Sequence, residues 1–188
     1  MKTLRKTAEE AYLKYANKII NRETWIDGFI SGIQYKKEYP QSIELCGLLW
    51  DTENLAIGGY EKDGRHYYTW DEAMEAARSV GKRLPTQYEW EALCDLGSTW
   101  DDERKGRWFG GNHNSDHKGS LFLPAAGLRY YSSGELANTS SSGYYWSSSP
   151  YYGGSGNAGY LYFNSGYVYP LSSNYRAFGF SVRCVQNK

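Results

Sequence analysis

The 188-residue sequence predicts an α+β fold: two short helices set against a small antiparallel sheet, loop-rich, behind an N-terminal helical appendage. Three observations predict it. Two Thr-x-x-Glu boxes, at Thr69 and Thr86, are each closed by a downstream glycine, Gly81 and Gly97, and so mark two short helices. After residue 120 the chain turns to short runs of alternating apolar residues separated by Ser, Gly and Asn. Helical signals come first and strand signals later, the order of segregated helices beside an antiparallel sheet.

Each element has its own warrant. In residues 1–41, Leu4, Ala8, Ala11, Tyr12, Tyr15 and Ile19 recur at helical spacing. Asn21 then caps a second helix whose stripe is Trp25, Ile26, Phe29, Ile30 and Ile33, and Pro40 ends it. This appendage either packs on the main domain or mediates self-association into a homo-oligomer. The main domain spans 42–188. Leu45–Trp50 and Leu55–Tyr60 read as strands, and Asp63-Gly64 as a tight turn between Tyr60 and Tyr67. Thr69 with Glu72 opens the first helix, whose inner stripe is Trp70, Met74 and Ala77. Thr86 with Glu89 opens the second, carrying Trp90, Leu93 and Cys94. Residues 98–120 read as a polar loop. Leu121–Ala126, Tyr144–Ser148, Tyr160–Phe163, Tyr167–Tyr169 and Phe180–Val185 then read as strands.

Composition narrows the function. Lys plus Arg and Asp plus Glu both count 21, so the basic face of a nucleic-acid binder is not expected. No apolar run reaches the roughly 20 residues of a membrane span. Charges in the first ten residues leave no secretory apolar core, which fits cytoplasmic synthesis. Cys46, Cys94 and Cys184 show no CxxC spacing and are expected as three buried, reduced thiols. His113, Asp116 and His117 could be drawn as a metal site, but their glycine-flanked surroundings favour solvated loop residues, so neither metal nor cofactor is expected. One figure stands out: 19 Tyr and 7 Trp in a chain of mean hydropathy −0.70. So many rings exceed one core, and some should serve a surface.

The stretch from residue 151 to 180 has the pattern of such a surface. Alternation sends Leu161 and Phe163 to one face and Tyr160 and Tyr162 to the other; Val168 turns inward while Tyr167 and Tyr169 turn outward. Gly153, Gly154, Ser155, Gly156, Ser172 and Ser173 border the four tyrosines. Tyr with Ser and Gly is the palette of antibody paratopes, because Tyr gives contact area at low entropic cost and Ser and Gly adapt. The bland reading is a sheet stabilised by cross-strand tyrosine pairs between plain loops. Asn164-Ser165-Gly166 reads as a hairpin turn, and Trp146, Arg176, Phe180 and Arg183 as framework.

Four ordered motifs carry a family likeness. Arg83-Leu84-Pro85-Thr86-Gln87-Tyr88-Glu89-Trp90-Glu91 and Gly179-Phe180-Ser181-Val182-Arg183-Cys184-Val185 resemble the formylglycine-generating-enzyme-like branch of the C-type-lectin fold. Leu123-Pro124-Ala125-Ala126-Gly127 and Gly143-Tyr144-Tyr145-Trp146-Ser147-Ser148-Ser149 are similar to a narrower set, the variable proteins of diversity-generating retroelements and their relatives in gut bacteria and phages. The resemblance covers about residues 42–186. It implies a receptor-recognition protein whose surface codons are rewritten by a reverse transcriptase at template adenines, with a variable region at about 151–180. The contacts it implies add Tyr152, Gly159, Leu171, Asn174, Tyr175, Ala177 and Phe178 to the residues above. The implied partner is a protein or glycan on a cell surface, and the carrier a phage particle or a cell. An assembly protein of a phage particle is the alternative. Copper-dependent oxidation, as in the formylglycine-generating relatives, needs two thiols near the C-terminus, and Cys184 stands there alone. Calcium-dependent sugar binding needs a carboxylate cluster that the last third of the chain lacks.

Overall fold

Local signals decide the first half of the domain. In the computed structural model, which describes residues 42–111, 117, 119–151, 153 and 156–188, both helices begin where their capping boxes stand. The helical appendage expected over 1–41 lies outside the described residues. Helix α1 (Trp70–Ser79) is capped by Thr69, whose side chain accepts from the Glu72 amide while the Glu72 carboxylate accepts from the Thr69 amide. Helix α2 (Gln87–Asp95) repeats this reciprocal pair with Thr86 and Glu89. Each box satisfies two otherwise orphaned amides. Gly81 and Gly97 follow the helix ends at φ +71° and +83°, a conformation that favours glycine.

Two expected strands are corrected. Leu45–Trp50 is a hairpin: β1 (Ser42–Leu45) and β2 (Leu48–Asp51) turn at Cys46-Gly47. Of the strand expected over Leu55–Tyr60, only Tyr60 is in a strand. The backbone before it wraps the Tyr68 hydroxyl, which lies 3.0 Å from the carbonyls of Leu55 and Ile57 and accepts from the Ile57 amide. That phenol and the Val182 carbonyl, which accepts from the Leu55 amide, take the place of a neighbouring strand. The Asp63-Gly64 turn forms as expected, joining β3 (Tyr60–Lys62) to β4 (Arg65–Tyr67), with Tyr60 opposite Tyr67.

The second half is mostly strand. The expected polar loop over 98–120 instead contributes β5 (Ser98–Asp101) and β6 (Gly106–Phe109), which form a three-stranded antiparallel sheet with β7 (Leu121–Pro124). A short pair, β8 (Leu128–Arg129) and β9 (Leu136–Ala137), follows. Then comes the longest sheet, β10 (Ser142–Pro150), β11 (Asn157–Asn164) and β12 (Val168–Tyr175) in that order. Phe180–Val185 was expected as a strand, but the ladder is β13 (Val185–Asn187) beside β2; Phe180 and Ser181 make only isolated bridges, to Tyr68 and Tyr145. The described residues thus give a mixed fold of two helices and five small antiparallel sheets, with more strand than helix. No helix among them is long and apolar enough to cross a membrane.

The long sheet is packed on both faces. On one, Tyr145, Leu161 and Phe163 join Trp50, Trp90, Leu93 and Phe109. On the other, Tyr144, Trp146 and Ala158 join Tyr68, Ala73, Ala77, Leu84 and Phe180. The period of two supplies both sets from the same strands. Arg183 is buried beside this core with its needs met: Nη1 donates to the carbonyls of Asp51 and Thr52, and Nε and Nη2 donate to Asn54 Oδ1. Desolvation holds its pKa below the ordinary arginine value.

Candidate functional site

Strand β12 is the outer edge of the long sheet, and its side chains project from a backbone that other elements hold. Asn164 shapes the turn into it, its Oδ1 accepting from the amides of Gly166 (2.8 Å) and Tyr167 (3.0 Å), as the Asn164-Ser165-Gly166 reading anticipates. The buried Arg107 of β6 grips the same turn, donating to the carbonyls of Asn164 and Ser165 at 3.2 and 3.0 Å. Further along, Gln87 of α2 donates to the Ser172 carbonyl at 3.1 Å. At the far end, the Arg176 carbonyl accepts from the Trp70 amide, and the Arg176 guanidinium lies 4.2 Å above the Trp70 ring and donates to the Asn157 carbonyl. These framework groups all reach backbone atoms of the β11–β12 region.

The exposed side chains are large. Tyr167, Tyr169, Leu171 and Tyr175 are 49, 54, 53 and 57% exposed, and Ala177 is exposed beside them. Ser172, Ser173, Asn174 and Phe178 are half-buried, and Gly153 and Gly156 are exposed on the connection between β10 and β11. Tyr152, Gly154 and Ser155 lie outside the described residues.

Two expectations need correction. Tyr160 and Tyr162 do lie opposite Leu161 and Phe163, yet both are half-buried, so the four tyrosines do not stand equally in water. Tyr160 packs 4.8 Å from Phe180 and 6.0 Å from Tyr144, and its pKa is raised by burial and by the neighbouring Tyr144. Gly159 is buried and unavailable to a partner: the Gln87 side chain fills its missing side-chain volume, and a Cβ there would meet Gln87 Cδ at 2.3 Å. That neighbour lies too far away in sequence to be read from the strand.

The sequence reading also missed two exposed rings, Tyr130 and Tyr131. Tyr162 stacks with Tyr169 at 6.3 Å and contacts Tyr144 at 5.1 Å. Tyr144 touches Phe180, Phe180 touches Phe178, and Phe178 touches Tyr131 at 5.1 Å. Tyr131 in turn meets Tyr175 edge-to-face at 6.1 Å. One unbroken run of rings therefore links Tyr167 and Tyr169 at one end to Tyr130, Tyr131 and Tyr175 at the other. Tyr130 and Tyr131 are 40 and 51% exposed. Their signal was present, since Tyr130-Tyr131-Ser132-Ser133-Gly134 carries the same Tyr/Ser/Gly palette.

At the Tyr175 end the surface hollows into a cleft of about 540 Å³, where Gly156, Tyr175 and Ala177 meet Thr69, Asp71, Tyr131 and Arg176. Cleft volumes of about 300–1,000 Å³ are typical of small-molecule sites.

The cysteines differ from expectation. All three are free, but Cys46 is exposed on the β1–β2 turn and Cys94 half-buried; Cys184 alone is buried. Cys46 stands in a turn with positive φ, where its thiol donates to the Ala92 carbonyl at 3.3 Å and no core reaches it. Burial pushes Cys94 and Cys184 up to about 12 and raises Cys46 as well, so the reactive thiolate is suppressed at all three. Of the triad drawn around His113, that residue and Asp116 lie outside the described residues, while His117 stacks on Trp108 at 4.3 Å. Among the described residues no group of three or more His, Cys, Asp or Glu is placed to hold a metal ion.

Residues 94–185 match a family described as a domain of unknown function, DUF8237. That segment runs from the last turn of α2 to the start of β13 and carries every ring of the aromatic run. No curated protein and no solved structure matches the chain.

Proposed function

We propose that this chain is a receptor-recognition protein, not an enzyme: a C-type-lectin-like scaffold whose Tyr, Ser and Gly surface binds a macromolecule and is diversified by a retroelement, on a phage or bacterial carrier. One observation carries the reading. The exposed side chains of β12 project from a strand whose backbone is held by the β11 ladder and by Gln87, while Arg107 and Trp70 fix the backbone just before and just after it. A surface held that way can change its side chains without losing its geometry. The contact area is adequate too, since a standard interface takes about 800 Å² from each partner and a buried Tyr supplies about 150–250 Å². The suppressed thiolates give no support to thiol-based oxidation.

Sequencing the DNA flanking the coding sequence tests the diversification directly. The reading expects a reverse-transcriptase gene and a second copy of the segment encoding about 151–180, differing from it only where the copy has adenine. Differences scattered over all four bases, or no second copy, would remove retroelement diversification. Cell binding tests the surface itself: fluorescently labelled protein should stain a receptor-bearing bacterial strain, and Tyr167→Ala with Tyr169→Ala should abolish the staining without lowering the Tm appreciably.

A further inference from the structure

We propose that the cleft between Tyr131, Tyr175 and the first turn of α1 is a saccharide subsite that takes a neutral sugar without a metal ion. The inference rests on the binding-surface reading above and names a ligand class for one end of that surface.

Asp71 projects from the first turn of α1, is exposed, and forms no ion pair among the described residues. Arg176 spends Nε on the Asn157 carbonyl and one face of its guanidinium on Trp70, so both terminal nitrogens keep their donors. The hydroxyls of Tyr131 and Tyr175 have no hydrogen-bond partner among the described residues. Four polar groups with spare capacity thus line the cleft together with two rings set at 79° to each other.

That inventory selects among ligands. The carboxylate only accepts and the guanidinium only donates, so a ligand must offer both kinds of group within one small volume. It must also present an apolar face to phenol rings whose faces are electron-rich. Neighbouring hydroxyls on a ring with a C–H face do both. A singly charged ligand would meet one opposite charge and one like charge, because Asp71 and Arg176 line the same cleft. One carboxylate also falls far short of the six to eight oxygens that calcium gathers, so the recognition is direct. The volume suits a small saccharide better than a single amino-acid side chain.

The test titrates the full chain, in EDTA, with methyl glycosides of glucose, galactose, mannose, N-acetylglucosamine and N-acetylgalactosamine and their disaccharides. Saturation-transfer NMR reads binding. At least one is expected to bind at millimolar or lower concentration, and Tyr131→Ala and Asp71→Asn should each weaken it at least about tenfold. Both residues are exposed, so thermal unfolding should stay unchanged. Tyr169→Ala, at the opposite end of the aromatic run, should leave sugar binding within about twofold. Three results would overturn the proposal: no saccharide binding, binding insensitive to Tyr131 and Asp71, or preferential binding of a zwitterionic dipeptide used as competitor. Loss of cell staining in the Tyr167 and Tyr169 variants alongside absent sugar binding would sink the subsite and leave the broader reading standing. Unchanged staining in those variants would sink the broader reading instead.

Discussion

Strands β10 and β12 flank the same central strand and are nearly equal in length, yet they are held in opposite ways. Through β10 the side chains do the holding. Tyr144, Tyr145 and Trp146 are all buried, alternate between two core clusters, and anchor by donating from Trp146 Nε1 to the Tyr68 carbonyl and from Tyr145 Oη to the Pro124 carbonyl. Even Gly143 is committed, since a Cβ there would meet the Phe163 ring at 2.1 Å. Through β12 the backbone is held and the large side chains are left to solvent. The difference separates a strand whose side chains are dictated by packing from one whose large side chains packing leaves free.

The comparison breaks most readily at β10. Trp146→Ala should cost about 3–5 kcal/mol, because it removes a fully buried indole and leaves a cavity between Phe180 and Tyr160; urea unfolding measures it. A midpoint shift no larger than that of Tyr169→Ala would contradict the packing assignment. The next effect is a pH dependence. Burial raises the Tyr145 hydroxyl to about 12, above the ordinary value of 10, so the folded state favours the protonated phenol. Its contribution is complete below pH 10 and declines as pH rises from 10 towards 12, by roughly 2–3 kcal/mol in all. Circular dichroism on alkaline titration should therefore show stability falling over that window, and Tyr145→Phe should flatten the fall. Gln87→Ala removes one framework bond to the β12 backbone and should cost about 1 kcal/mol, with hydrogen exchange quickening through β12 more than through β10. Smallest of all, Tyr169→Ser should change stability by no more than about 0.5 kcal/mol, while partner affinity falls at least tenfold on titration if Tyr169 is an anchor.

What could be read from the sequence follows the same division between local and distant causes. The capping boxes at Thr69 and Thr86, the Asp63-Gly64 turn and the alternation at Tyr160–Phe163 depend on residues a few positions apart, and each forms as read. The errors have distant causes. Leu55–Gly59 has strand-like residues, but the Tyr68 hydroxyl, the His66 ring and the Val182 carbonyl supply its hydrogen bonds. Ser98–Asp101 and Gly106–Phe109 read as loop because the stretch is polar and carries Gly106, Gly110, Gly111 and Gly119. In the fold the Arg107 guanidinium is buried against carbonyls of residues 164 and 165, and Asp101 accepts from the Trp108 indole. The surface shows the same split: outward direction along β11 and β12 was legible, but the cover that Phe180 and Tyr144 place on Tyr160 was not. Tyr131 joins Tyr175 only because the chain returns there after forty-odd residues.

The most direct test of the account is a saturation scan of residues 142–178 with a folding readout, such as protease resistance of displayed variants. The account predicts that Tyr167, Tyr169, Leu171, Tyr175 and Ala177 accept nearly every substitution, while Gly143, Tyr144, Tyr145 and Trp146 accept few. Equal intolerance along both strands would mean that the exposed rings hold the fold and do not serve a partner.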